Sequence, residues 1–279
     1  MTAMIVATVL LIVAVACAVL LVMRQRFAAH LDALEAEIRK AGSMHTARSD
    51  LPPEVVALAS RMGAQAAGAS GFVTFEQSGQ MWQAPGDKPT DFTARQTVGI
   101  DVPAFLWRAG MGRPASVVAD YFVAGTGGLE VMLLGAFPLA RMIGGAAANQ
   151  GEALRYLAEI PWNQDAILAN SSLDWTVVDA NTIKVATGQG PDRGEVTFEL
   201  DTEGRVVRAS APARVYGAPI QSRRGGVRAS GGAVGYSYAL GRDKRKAEFA
   251  AVIDALLQDR AWRDRLRTSL IAPLAEHQR

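Results

Sequence analysis

A run of apolar residues near the N-terminus constrains the fold of this chain more than any other feature. Residues 3–23 read AMIVATVLLIVAVACAVLLVM without a charge, and Arg24 and Arg26 follow directly. A helix rises about 1.5 Å per residue, so about 20 apolar residues match the roughly 30 Å hydrocarbon core of a bilayer. The sequence therefore predicts a membrane-spanning helix over residues 1–24 and a single-pass protein of the cell membrane.

A cleaved signal peptide is the competing interpretation of this run. Such a peptide starts with basic residues and ends its apolar core at a small-x-small site. Here no Lys or Arg precedes the run, and Ala14-Val15-Ala16 lies in its middle. A lipoprotein signal at Cys17 fits less well, because Ala14 stands where a large aliphatic residue is usual. We therefore expect an uncleaved anchor.

Cations on the C-terminal side of the run bear on its orientation. Arg24, Arg26, Arg39 and Lys40 all follow the run, and no side-chain cation precedes it. The positive-inside rule then favours a cytoplasmic main domain, although a few cations leave the side of the membrane open.

The residue inventory argues against most enzyme classes. The histidines are His30, His45 and His277, and none lies in the strand-rich part of the chain. The single cysteine, Cys17, is inside the apolar run. A Ser-His-Asp or Cys-His site and a zinc site are therefore not expected. Gly188-Gln189-Gly190 leads into Pro191 and not into a helix, which argues against a dinucleotide site. We expect no catalytic residues, no metal and no cofactor.

Short stretches with strand character begin at Gly71. Residues 91–100 (DFTARQTVGI) alternate between the two faces of a strand. Gly125–Gly128 and Asp201–Gly204 separate further strand pairs and are typical hairpin turns. The connections are too short for crossover helices, so the strands should be antiparallel. Residues 137–145 (FPLARMIGG), 149–160 and 162–170 are instead interpreted as short helices.

The end of the chain is basic. From Arg214 onward the sequence has 13 Lys and Arg residues against six Asp and Glu residues. This asymmetry fits anionic lipid headgroups better than nucleic acid, which is not an expected partner. A solvated basic arm is an equally good interpretation.

The predicted fold is α+β. A transmembrane helix is followed by a curved, half-barrel-like antiparallel sheet with a helical insert and a C-terminal helix. The expected segments are an anchor (1–24), a juxtamembrane helix and linker (25–50), a β domain (51–216) with an insert at 138–170, and a basic loop with an amphipathic helix (217–279).

Aromatic residues, with polar residues of the insert, form the candidate ligand-binding set. These aromatics either fill the core or line a hydrophobic groove in a sheet that curls without closing. Arg155 and Glu159 are either an i,i+4 pair that stabilises their helix or a polar patch at a cavity mouth. The candidates are Trp82, Trp107, Tyr121, Phe137, Arg155, Tyr156, Glu159, Trp162 and Trp175.

Several motifs resemble a bacterial family of unknown function. Its members show a G-x-x-P-x-A stretch, a GE-x-x-RYL-x-E-x-x-W helix and a hairpin with a D-x-x-G turn. The matching residues are Gly135, Pro138, Ala140, Gly151, Glu152, Arg155, Tyr156, Leu157, Glu159, Trp162, Asp201 and Gly204. The resemblance covers residues 51–213, and the sequence after the last hairpin departs from it.

The resemblance implies an architecture similar to the LolA-like lipid and lipoprotein carriers, which hold acyl chains between a concave sheet and covering helices. We therefore expect a membrane-anchored, non-enzymatic protein that binds a lipid or another hydrophobic ligand. The alternative is a protein-interaction module of a membrane or envelope complex, which docks through the juxtamembrane and C-terminal helices. An enzyme that uses Arg155, Glu159 or Asp120 is a third and weaker hypothesis.

Overall fold

The structure is a computed structural model that describes residues 2–41, 48–65, 71–81, 88–112, 115–211, 222–228 and 234–240. A long apolar helix precedes antiparallel sheets and further helices, and neither large sheet closes into a barrel. The predicted α+β class is confirmed. The chain divides into two compact units, and the first contains the long helix and the larger sheet.

The N-terminal helix α1 runs without a break over Thr2–Ala41. Helix α1 is long and apolar enough to cross a membrane, and the described residues contain one such helix. No residue in its most apolar stretch is buried by the rest of the protein. The same helix continues well past Arg24, so the predicted anchor and juxtamembrane helix form one element.

A six-stranded antiparallel meander follows, with its strands in sequence order. Its members are β1 (Phe72–Met81), β2 (Thr90–Gly99), β3 (Phe105–Met111), β4 (Ser116–Val123), β5 (Thr126–Leu133) and β6 (Phe137–Ile143). Two tight turns have positive φ at both central residues, Ala124-Gly125 and Leu134-Gly135. Positive φ at both central residues is typical of a type I′ turn. The first turn is the two-residue loop between β4 and β5, and the second begins the three-residue loop 134–136 between β5 and β6.

The predicted hairpin at Gly125–Gly128 is confirmed, but its turn lies one residue earlier. Gly127 and Gly128 are inside β5. A Cβ on Gly127 would lie 2.5 Å from the carbonyl oxygen of Ala148, and one on Gly128 would lie 2.2 Å from the ring of Tyr121. These glycines therefore permit close packing on both faces of the strand.

The prediction of a helix at residues 137–145 was wrong. Residues 137–143 form β6, which pairs with β5 and lies at the edge of the sheet. The type I′ turn at Leu134-Gly135 returns the chain directly onto β5, and Pro138 is tolerated because an edge strand needs fewer ladder hydrogen bonds. The helical part of the insert is α3 (Ala146–Glu159), a 3₁₀ turn at Ile160–Trp162, and α4 (Asp165–Ala169).

The extension of α1 packs on one face of the meander. Phe27, Leu31 and Ile38 are buried there in a cluster with sheet residues that include Leu106 and Tyr121. Helical spacing places these three helix residues on one side of α1. The part of α1 beyond the apolar run is therefore a core element of the folded unit.

The second unit contains α2 (Pro53–Arg61) and most of a four-stranded antiparallel sheet in the order β10-β9-β8-β7. Its strands are β7 (Asp174–Asp179), β8 (Thr182–Thr187), β9 (Gly194–Leu200) and β10 (Val206–Ser210). The predicted Asp201–Gly204 turn joins β9 and β10 and is closed by a hydrogen bond from the Gly204 amide to the Asp201 carbonyl.

A third, two-stranded sheet pairs β11 (Ser222–Arg228) with β12 (Val234–Leu240). The sequence predicted a basic loop in this part of the chain, and the structure has a hairpin. The predicted C-terminal amphipathic helix lies outside the described residues.

Candidate functional site

The most concentrated polar chemistry of the first unit lies between α3 and the sheet. We name it the Arg155 cluster, and it consists of Gln77, Gln96, Trp107, Asp120, Arg155 and Glu159. Arg155 and Glu159 project from α3, and the other members project from β1 to β4. The register pairs Gln77 with Ala94 and Gln96 with Trp107, and it pairs Trp107 with Asp120.

Arg155 lies at the centre of this cluster. Its guanidinium donates to a carboxylate oxygen of Asp120, and its Nε donates to Glu159 Oε1 over 2.9 Å. The guanidinium carbon also lies 4.8 Å from the centre of the Phe105 ring, within cation–π range. Burial by itself would lower the pKa of Arg155, but the negative charges of Glu159 and Asp120 raise that pKa above its ordinary value.

A chain of amides extends the cluster along the sheet. Gln96 donates to Glu159 Oε2 over 2.6 Å, and Gln77 donates to Gln96 over 2.9 Å. The indole N–H of Trp107 completes the chain by donating to Gln77 over 2.7 Å. Partners within the same unit thus satisfy most of the polar groups, and the cluster fastens α3 to the sheet.

Tyr156 makes a second attachment beside the cluster. Its hydroxyl donates to the Gly99 carbonyl and accepts a hydrogen bond from Asn170, each over 3.0 Å. Asn163 donates to the same carbonyl over 2.8 Å. Burial raises the pKa of Tyr156 above its ordinary value, so the hydroxyl keeps its proton. Tyr156 therefore holds the end of β2 against the helical insert.

A buried carboxylate occupies the opposite face of the sheet. Glu130 is 1% exposed and lies in the middle of β5. It contacts His30 of α1 over 3.2 Å, the hydroxyl of Tyr121 over 3.3 Å and the Nε of Arg141 over 2.8 Å. Burial and the negative charge of Glu130 raise the pKa of Tyr121 to about 12. The sequence analysis did not predict a role for Glu130. Its position as a charged residue inside an otherwise apolar strand could have indicated one.

A polar groove lies next to α1 on the side of the sheet that carries Glu130. Its volume is about 490 Å³, and Glu76, Arg95 and Arg108 contribute to its lining. Arg108 pairs with Asp32 of α1 at 2.8 Å, and Arg95 lies 3.5 Å from Glu76 and 4.0 Å from Glu35. Both arginines are thus balanced by acidic neighbours.

The nine predicted ligand-binding residues do not form one site. Trp107, Arg155, Tyr156 and Glu159 lie together on the α3 side of the sheet. Tyr121 lies on the α1 side, because Leu106 and not Trp107 is its cross-strand partner.

The remaining candidates lie elsewhere. Phe137 is 45% exposed on the edge strand, and Trp162 is 40% exposed in the 3₁₀ turn. Trp175 belongs to the second unit, where its ring stacks on Phe198 at 6.5 Å. Trp82 lies outside the described residues.

The described residues contain no group of three or more His, Cys, Asp or Glu side chains that could hold a metal ion. In the Arg155 cluster the two carboxylates face a guanidinium and amides. The arrangement suits structural attachment of α3 to the sheet.

The C-terminal part of the chain is similar to proteins of phosphonate metabolism. Residues 222–279 match the family described as phosphonate metabolism protein PhnG. A relative named alpha-D-ribose 1-methylphosphonate 5-triphosphate synthase subunit PhnG, from Rhizobium meliloti (strain 1021), is 34% identical over 116 residues. This alignment covers 42% of the present chain and 66% of the relative, just under two thirds of its length. No solved structure matches the chain.

The larger match covers α2 to α4 and the two larger sheets, β1 to β10. Residues 43–224 match a family of unknown function, DUF6544. This range includes the GE-x-x-RYL-x-E-x-x-W helix, whose Arg155, Tyr156 and Glu159 fasten α3 to the sheet. Its last three residues overlap the first residues of the PhnG family match. The chain belongs to the DUF6544 family of unknown function.

Proposed function

We propose that this protein is a membrane-anchored, non-enzymatic interaction module that presents its folded part to a protein partner. The observation that carries the proposal is the covering of both faces of the six-stranded sheet. The extension of α1 covers one face, and α3 covers the other. A protein-binding function then belongs to surfaces outside these two packing contacts.

The chemistry of the two covered faces supports this proposal. Arg155 is matched by two carboxylates, and Glu130 is matched by His30, Tyr121 and Arg141. Charged groups with intramolecular partners lose those partners if they turn to a substrate, which is costly in a buried setting. The attachment of α3 accounts for the positions of Arg155, Tyr156 and Glu159 in the family motif and supports a non-enzymatic role.

The C-terminal similarity favours a protein partner. The PhnG relative is named as a subunit of a synthase. A segment similar to a subunit is suited to an assembly, and its basic character would favour an acidic surface. The relative's activity is not part of the proposal.

Anchoring by α1 would place such an assembly at the membrane. We propose that α1 crosses the bilayer once and that the folded part lies in the cytoplasm. Arg24 and Arg26 follow the apolar run, and the positive-inside rule retains such flanks on the cytoplasmic side.

The test compares the full chain with a version that ends at residue 221. Both are extracted from cell membranes in a mild detergent and measured by native mass spectrometry. We expect the full chain to carry a protein partner at a fixed stoichiometry and the shortened chain to carry none. Arg193→Glu, at an exposed position of the first unit, serves as the control that keeps the partner. A full chain that carries no protein partner would refute the proposal.

A bound lipid or other amphiphile is the second candidate function, and the polar groove favours it. Arg95 and Arg108 line this groove of about 490 Å³ beside α1 and could meet an anionic headgroup. The LolA-like carriers would be the architectural analogy. In this case organic extraction of the purified full chain yields a discrete lipid, and Arg95→Glu with Arg108→Glu loses it while Arg193→Glu retains it. A chain that stays free of lipid after incubation with membrane lipids excludes this candidate.

A further inference from the structure

The turn between β5 and β6 lies beside the point where α1 leaves its apolar run. A Cβ built on Gly135 of this turn would lie 3.8 Å from the Cγ atom of Arg24. Arg24 is the first charged residue after the apolar run. Such a residue marks the boundary between acyl chains and headgroups, so the turn is held at the level of that boundary.

The end of the apolar run is itself partly covered by the folded protein. Leu20 and Met23 are half-buried, whereas Leu10 to Val13 are exposed. Protein atoms therefore reach the level of the last helical turn before Arg24. The folded part does not stand away from the proposed membrane on a spacer.

Three exposed apolar side chains lie in this turn and at the start of β6. Leu134 is 40% exposed in the turn, and Phe137 and Leu139 of β6 are 45% and 60% exposed. Edge strands in water are normally protected by charges or by a covering segment, because a bare apolar edge aggregates. We name Leu134, Phe137 and Leu139 the apolar edge.

The backbone at Leu134 adds an independent reason to regard this edge as functional. Leu134 has a φ of +56°, a conformation that suits Asn or Gly and costs energy in a leucine. Non-glycine residues in such conformations cluster at functional sites. A leucine side chain that is exposed to water in that position does not stabilise the protein, whereas its burial in an apolar environment is favourable.

We propose that the apolar edge is inserted into the interfacial region of the bilayer, next to the membrane-spanning part of α1. Leu134, Phe137 and Leu139 would enter the boundary between headgroups and acyl chains, as apolar side chains of interfacial proteins do. This second contact fixes the orientation of the folded unit on the membrane, which a helix alone leaves free to rotate. The proposal depends on the proposed anchoring by α1.

The experiment measures membrane depth at single positions of the full chain. Cys17 is the single cysteine, so Cys17→Ala provides a cysteine-free background. Leu134→Cys, Phe137→Cys and Leu139→Cys are prepared separately and labelled with a nitrobenzoxadiazole fluorophore. Each protein is reconstituted in vesicles of phosphatidylcholine and phosphatidylglycerol, with and without doxyl-labelled phosphatidylcholine.

The opposite end of β5 offers a matched control. Ala124 occupies the same position of a type I′ turn as Leu134 and is also exposed. A strand rises about 3.3 Å per residue, so β5 separates the two turns by a distance of the order of 25 Å. Ala124→Cys therefore tests a chemically equivalent position away from the boundary, and Ile12→Cys reports on insertion of α1.

We expect doxyl lipid to reduce the fluorescence at the apolar edge about twofold or more, as for a group at the acyl boundary, and to leave the Ala124 label unchanged. One result would overturn the inference: the Ile12 label is quenched, but the labels at the apolar edge are quenched no more than the Ala124 label. The edge would then be free for a protein surface. An unquenched Ile12 label would instead refute the anchoring.

A second variant separates membrane contact from turn geometry. Leu134→Asn fits the backbone of the turn better than leucine. With the fluorophore at Phe137, we expect this variant to remain folded and to show weaker quenching than the parent protein. Unchanged quenching would overturn the role of Leu134.

Discussion

At the scale of single residues, charge pairing decides how the sheet holds its helices. Arg155 meets Asp120 and Glu159 on one face, and Glu130 meets Arg141, His30 and Tyr121 on the other. In each group the loss of one partner leaves a charge or a polar group unmatched in a poorly hydrated place. Removal of one partner therefore lowers the stability of the fold by more than the intact pair contributes to it.

Replacement of Arg155 by methionine should destabilise the protein. The change leaves Asp120 and Glu159 facing each other without a cation, so we expect the free energy of unfolding to fall by about 3–5 kcal/mol. Urea unfolding of the full chain in detergent, followed by tryptophan fluorescence, measures it.

The matched control neutralises the two carboxylates. Asp120→Asn with Glu159→Gln in the Arg155→Met protein should recover part of the lost stability, because no unpaired charge remains. If the triple variant is less stable than Arg155→Met alone, the charges are not the cause of the loss.

Tyr121 should make the stability depend on alkaline pH. Its pKa is raised to about 12 in the folded protein, whereas an unfolded tyrosine ionises near pH 10. Between these values the unfolded chain releases a proton that the folded protein keeps. The free energy of unfolding then falls by up to about 1.4 kcal/mol per pH unit as pH rises from 10 to 12, and this contribution is constant below pH 10.

Tyr121→Phe removes this contribution and should flatten the decline. Unfolding midpoints measured at several alkaline pH values compare the two proteins. Tyr156 acts in the same direction, so a smaller slope remains. Identical slopes for the variant and the parent protein would contradict the shifted pKa of Tyr121.

At the scale of elements, glycines determine how closely helix and strand approach. Gly127→Ala should push α3 away from β5, because its Cβ would lie 2.5 Å from a backbone oxygen of α3 that cannot rotate aside. We expect a loss of about 1–3 kcal/mol in the free energy of unfolding, together with faster proteolysis of α3.

Gly125→Ala is the control for this prediction. Gly125 has a φ of +77°, and no atom lies within 4 Å of the position that a Cβ would take. This variant strains the backbone of the turn but creates no steric clash, and we expect it to lower the free energy of unfolding by about 1–2 kcal/mol. Proteolysis of α3 should then be unchanged, and equal proteolysis in both variants would argue against the close contact.

At the scale of the whole molecule, α1 is both the candidate membrane span and part of the core. Phe27, Leu31 and Ile38 are buried on the sheet, downstream of the apolar run. A version that begins at Ser49 loses this cover and exposes a face of the meander. We expect it to aggregate, whereas a version that begins at Arg24 keeps this cover and remains folded in a mild detergent.

Leu31→Ala tests the same contact in the full chain. Leu31 is 0% exposed, so the change should lower the free energy of unfolding by about 2–5 kcal/mol. Ala33→Ser, at an exposed position of the same helix, should change it little. A soluble, cooperatively unfolding protein that begins at Ser49 would contradict this view of α1.

The sequence by itself determined the features that depend on neighbouring residues. The length of an uncharged run sets whether a helix can cross a bilayer, and period-two alternation with short turns sets antiparallel strands. The motif around Arg155 and Tyr156 is also a pattern of neighbouring residues, and it correctly identified a helix and a family.

Only the tertiary structure decided which surface each side chain meets. Residues 137–143 have a composition compatible with a helix, but pairing with β5 makes them a strand. Trp107 and Tyr121 are both strand aromatics, and the register alone places them on opposite faces. Glu130 and His30 are a hundred residues apart, so no local pattern could pair them. Long-range contacts join residues by position in space, and that information is absent from any short segment of the chain.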